Sequence, residues 1–304
     1  MKTELLLERT RSLAFETLPL AGRGKTYLRL RRLWEVGAES LSLAKLVEAH
    51  WDAVSILAEA DRAPMAQSLY AVWASEAKDQ QLQIRSTGEG HVLDGIKAFA
   101  SGVGIVDCAL VTADRHLVEV DLRQHRNRYS VDLSRWSTEA FRATQTGAIC
   151  FNQYPLSPGS CIQTRDWYID RPGFWHGACG PAACWAGGAE TLLAYAEANK
   201  RDDPHTRVHR GAIRSAIWAM DACLRHAAAE MDASPTDTEI ARIRSLKLRH
   251  IVEQHCTDIM RRLTRAFGPH PLAFEPEIAE AYYELDLYLR QSHAERDLEQ
   301  IGIL

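Results

Sequence analysis

The sequence predicts an α+β protein: N-terminal helices, a small central antiparallel β-domain and a C-terminal antiparallel helical bundle. Three observations predict it. Apolar residues recur at helical spacing up to about residue 60. Between about residues 68 and 165, short β-branched runs alternate with glycines. Beyond Pro172 the helical spacing returns and holds to the end.

The elements follow in order. In residues 26–60, Leu30, Leu33, Ala38, Leu41, Ala44, Val47, Trp51, Val54 and Leu57 form a helical stripe. The stripe reads as two helices broken near Gly37, and Pro64 ends the segment. The runs "LQIRS", "HVLDGI", "CALVTA", "LVEVDL", "YSVDL" and "GAICF" read as strands of a compact antiparallel sheet or barrel. Next comes "GPAACWAGGAETLLAYAEA", then apolar stripes over 208–231 and 240–267, then a helix after Pro276. At least four helices are enough for an antiparallel bundle. The expected domains are residues 1–67, 68–170 and 171–304.

Bulk properties narrow the function classes. The chain has 304 residues, 46% hydrophobic and 25% charged, which suits a globular protein with a sizeable core. Its net charge of −4 argues against a nucleic-acid partner, which would favour a basic excess. No apolar run approaches the roughly eighteen residues of a membrane span. The start, "MKTELLLERTRSLAFE", makes a poor signal peptide, so a cytoplasmic location is expected. Seven cysteines form no framework, and the closest pair, Cys179 and Cys184, is not a CxxC. Reduced, packed thiols are expected, with no metal site.

Five segments in this order resemble the acyl-CoA dehydrogenase family. "SLSLAKLVEAHWDAVSILAEA" resembles helices of its N-terminal domain, and "YAVWASE" stands where the family has a Thr-Glu-Pro flavin loop. "LDGIKAFASGVGIVDCALVTA" is similar to a strand pair that lies over the flavin. "FRATQTGAICFNQYPL" resembles the segment that closes the β-domain, and "YLRQSHAERDLEQIG" falls at the final active-site helix. The resemblance implies FAD as cofactor, held where β-domain and bundle meet. It implies that Ser101 hydrogen-bonds the flavin ring, that Phe99 packs near it, and that Gly102 and Gly104 permit close approach. It further implies ring contacts from the backbone of Ala74 and Ser75. Lys200, Arg201 or Arg207 would replace the family's phosphate-binding arginine.

The sequence departs from the family in places that bear on activity. Ala77 replaces the proline of the flavin loop, and the run that normally follows is absent from "KDQQLQ". The chain is shorter than ordinary members. Counting from Arg290, the position of the family's catalytic carboxylate falls on Glu299, with no Gly-Thr after it. Some members carry the base at the start of the first bundle helix. Here that stretch, "RPGFWHGACGPAACWAGG", offers His176 instead of a carboxylate. His50, between Glu48 and Asp52 on an apolar helix, reads as a core or edge histidine.

The resemblance implies an oxidoreductase that dehydrogenates an acyl-CoA or other acyl thioester at its α,β bond. It also implies a homodimer or homotetramer, because the family shares its cofactor site between subunits. Two alternatives stay open: a flavin-dependent monooxygenase on the same fold, and a degenerate scaffold or partner subunit.

Overall fold

The computed structural model describes residues 3–75, 81–88 and 90–303. Three helices come first: α1 (Thr3–Ala14), α2 (Thr26–Glu39) and α3 (Leu41–Glu59). The strands are β1 (Tyr70–Trp73), β2 (Leu82–Thr87), β3 (Gly90–Ala100), β4 (Cys108–Ala113), β5 (His116–Asp121), β6 (Tyr129–Asp132), β7 (Gly147–Leu156) and β8 (Cys161–Ile162). Short helices α4 (Trp167–Asp170) and α5 (Pro172–Gly177) lead to the long ones, α6 (Gly180–Ala198), α7 (Pro204–Ala233) and α8 (Thr238–Phe267). Helices α9 (His270–Phe274), α10 (Pro276–Leu289) and α11 (Glu295–Gly302) complete the chain.

The chain divides into two compact units. One holds Met1–Thr17 and Lys45–Phe174, the other Leu18–Ala44 and Trp175–Leu304. In the first unit the strands form two four-stranded sheets, ordered β1-β4-β5-β8 and β2-β3-β7-β6. The second sheet is antiparallel throughout. The first contains a parallel pair, β1 with β4, in register Tyr70 to Cys108. A tight hairpin joins β4 to β5 through Asp114 and Arg115, both at positive φ, the geometry that matches the strand twist. Ile56, Leu57, Tyr70, Leu110, Leu117 and Ile162 bury one face of this sheet against α3.

The second unit is helical. The break expected near Gly37 falls at Ser40, whose backbone is extended, while Gly37 stays inside α2. Each of two helix starts borrows a cap from a distant carboxylate. Glu284 on α10 accepts from Ser42 N at 3.1 Å and Ser42 Oγ at 2.5 Å, at the start of α3. Asp232, near the end of α7, accepts from Gly24 N at 2.8 Å, Thr26 N at 3.1 Å and Thr26 Oγ1 at 2.6 Å. The residue before α2, Lys25, offers no side-chain cap, so Asp232 fills the orphan donors. Asp232→Ala is therefore expected to cost about 2 kcal/mol in urea unfolding, the upper end for loss of a cap. Asp232→Asn, which keeps an acceptor, should cost less than half of that.

Candidate functional site

The candidate site is an edge of the first unit where β3 ends. Between Lys97 and Ala100 the register of β3 against β7 shifts, and Phe99 sits in the left-handed region at φ 53°. A bulge re-aims a side chain. Here it turns Phe99 outward, 63% exposed, among buried and half-buried neighbours. Ser101 follows, half-buried, and is held from two sides. Its carbonyl accepts from Trp73 Nε1 at 2.9 Å, and its hydroxyl oxygen accepts from Thr146 Oγ1 at 3.1 Å. Thr146 in turn lies 2.8 Å from Thr144 Oγ1, and Thr144 donates to the carbonyl of Phe141 at 2.7 Å. Gly102 N donates to the carbonyl of Thr144 at 2.9 Å. This network fixes Ser101 before any ligand arrives.

The two glycines serve the chain's own packing. A Cβ on Gly102, at φ +75°, would meet Leu46 Cδ2 at 3.0 Å and Val106 Cγ1 at 3.1 Å. A Cβ on Gly104 would meet Gln145 Oε1 at 1.8 Å. The spaces beside both are filled by neighbouring side chains, where the sequence suggested room for a ring. Ala74 packs on the sheet core and Ser75 is exposed just after β1. Glu76, Ala77 and the "KDQ" that follows lie outside the described residues.

His176 lies in the second unit, on α5, and is 6% exposed. Its Nε2 is 2.9 Å from the carbonyl of Pro235, and its Nδ1 is 3.3 Å from Arg244 Nη2. A carbonyl only accepts and a guanidinium only donates. The ring is thus the neutral Nε2–H tautomer, with its bare nitrogen already turned to Arg244.

No protein-family model and no curated protein matches the sequence. Solved structures match over most of the chain. Butyryl-CoA dehydrogenase from Megasphaera elsdenii superposes with a TM-score of 0.76 at 15% identity, over 99% of this chain and 88% of that one. The chain has the acyl-CoA dehydrogenase fold. Nitrososynthase from Micromonospora carbonacea var. africana shares this fold at TM-score 0.78 and 16% identity, over 98% and 87% of the two chains. KijD3, solved with FMN and a dTDP-linked amino-keto sugar, shares it at 0.77 and 14%, over 91% and 77%.

On this acyl-CoA dehydrogenase fold the other expected residues belong to the second unit. Arg207 is exposed in the first turn of α7, 4.0 Å from Asp202. Arg201 is tied to Asp203 at 2.7 Å. Glu299 is exposed on α11. The structure adds Trp73, Thr144 and Thr146 as supports of Ser101. All three stand in "YAVWASE" and "FRATQTGAICF", but only the fold shows that they converge on one serine.

Proposed function

We propose that the chain is a flavin-dependent oxidoreductase that holds the isoalloxazine ring against Ser101, Phe99 and the main chain at Ala74 and Ser75. What carries the reading is the bulged edge: an outward aromatic beside a hydroxyl fixed by Trp73 and Thr146. These residues fit a flat heteroaromatic group, offering a ring for stacking and a hydroxyl for its polar rim. The FMN bound by KijD3 on the same fold supports the cofactor class. A bound flavin supplies two-electron transfer and, once reduced, reaction with oxygen.

Of the two chemistries, we favour oxygenation of a small organic substrate. Dehydrogenation of an acyl thioester asks the protein for a base with an available lone pair. His176 has spent both ring nitrogens on Pro235 and Arg244, and Glu299 is exposed on α11. Dehydrogenation is the second reading, supported by the coverage of 99% against butyryl-CoA dehydrogenase, with Glu299 or a re-oriented His176 as base and Arg207 on the phosphates of FAD.

The visible spectrum of the protein after incubation with FAD or FMN and removal of unbound flavin tests the class. A protein that stays colourless with both sinks both readings. Oxygen uptake with reduced flavin supports the first chemistry, and anaerobic bleaching by an acyl-CoA supports the second. Ser101→Ala should weaken flavin binding roughly tenfold by fluorescence titration, the worth of one hydrogen bond at the upper end of its range. Thr146→Val, which removes only the support, should weaken it less.

A further inference from the structure

Helices α7 and α8 leave between them a groove of about 480 Å³. That is within the range of small-molecule pockets. Its walls are apolar, with Ala222 and Ala227 from α7 and Ile243 and Leu248 from α8. Arg244 also lines it, and is the unusual member. It is 5% exposed, and only its Nη2 has a partner, the neutral ring of His176. Its Nε and Nη1 are buried without any acceptor. It makes no ion pair among the described residues. Glu230, which also lines the groove, is turned to His226 at 3.6 Å. Lys247 adds a second positive charge to the lining.

A buried guanidinium without a direct ion pair is costly, and a buried donor without an acceptor asks for a ligand, an ion or a water. Burial holds the Arg244 guanidinium below the usual arginine range, against a smaller upward pull from Cys179, Glu230 and Asp237, none of which pairs with it directly. A water would fill one donor and leave the charge and the apolar walls unanswered. An apolar chain that ends in an anion answers all three.

We propose that the α7–α8 groove binds an amphipathic carboxylate, with its hydrocarbon chain between Ala222, Ile243 and Leu248 and its charged end drawn to Arg244. The site lies within the second unit and does not depend on the flavin reading.

The test is calorimetric titration of the full chain with decanoate, decanol and decylamine. Decanoate should bind at least roughly tenfold tighter than decanol, as charge-assisted hydrogen bonds require, and decylamine weakest. Arg244→Met should erase the preference for decanoate over decanol, while Lys247→Met should keep most of it. Because Arg244 also holds His176, Ala222→Trp provides a variant that leaves that contact intact. Its indole should close the groove and abolish binding of all three probes. Equal affinity for decanoate and decanol, no binding of either, or an undiminished preference in Arg244→Met would each overturn the proposal. So would sedimentation showing a second copy of the chain seated over the groove.

Discussion

Gly187→Val is expected to lower the unfolding free energy by about 3 kcal/mol, with a matching fall in the urea midpoint. The cause is the crossing of α2 and α6. A Cβ on Gly187 would meet the carbonyl oxygen of Trp34 at 2.1 Å and Ala38 N at 2.7 Å. From the other helix, a Cβ on Gly37 would meet the carbonyl oxygen of Cys184 at 2.4 Å. The two backbones touch directly, and side-chain bonds lock the contact. Thr191 Oγ1 donates to the carbonyl of Ala38 at 2.9 Å, and Trp34 Nε1 donates to Glu190 Oε2 at 2.5 Å. Helix propensity alone would predict the opposite sign for Gly187→Ala, a gain of about 1 kcal/mol. Contact with rigid backbone outweighs it, because nothing there rotates away. Gly188→Ala is the control. The nearest atoms to its Cβ would be those of the Leu41 side chain, from 2.7 Å, which can give where a backbone carbonyl cannot. Gly187→Ala as stable as the parent would mean that the helices separate freely and that the crossing is not tight.

The same crossing shows where sequence reading stops. "GPAACWAGGAETLLAYAEA" is legible as a helix from its composition, and α6 spans those residues. The need for its glycines is set by a carbonyl on Trp34, more than a hundred residues earlier. The six quoted strand runs are visible because they alternate or are rich in β-branched residues between glycines, which are local signals. Strand β1 is not among them. Its four residues "YAVW" acquire strand character from parallel pairing with β4, which no local pattern records. Ser101 was reachable through the resemblance of its segment. Its supports were not, since Trp73 and Thr146 lie 28 and 45 residues away along the chain. His176 was legible as a residue type suited to proton transfer. Its commitment to Arg244 and Pro235 depends on how α5 meets the turn between α7 and α8.

His50 gives the second large effect, an acid-dependent loss of stability. The ring is 3% exposed on α3 and accepts from Tyr70 N at 3.0 Å through Nδ1, so that nitrogen carries no proton. Burial lowers its pKa from 6.5 to about 4, against a smaller upward pull from the backbone of Ala14. In the unfolded chain the histidine takes up a proton as the pH falls below 6.5, whereas the folded chain resists until about 4. Stability from this group is therefore complete above 6.5, declines as the pH drops through that window, and levels off below about 4. The full difference is about 3 kcal/mol, from roughly 1.4 kcal/mol per pKa unit. His50→Asn keeps an acceptor for Tyr70 N and removes the titration. It should be less stable than the parent at pH 7.5, because it loses ring packing against Phe15 and Tyr70, whose centroids lie 6.0 and 6.2 Å away. Its loss between pH 7.5 and 4.5 should be smaller by about 2 kcal/mol. Urea unfolding at the two pH values reads both numbers. Parallel losses in parent and variant would assign the acid sensitivity to carboxylates such as Asp107 and Asp121, whose pKa values are lowered by arginine partners, and not to His50.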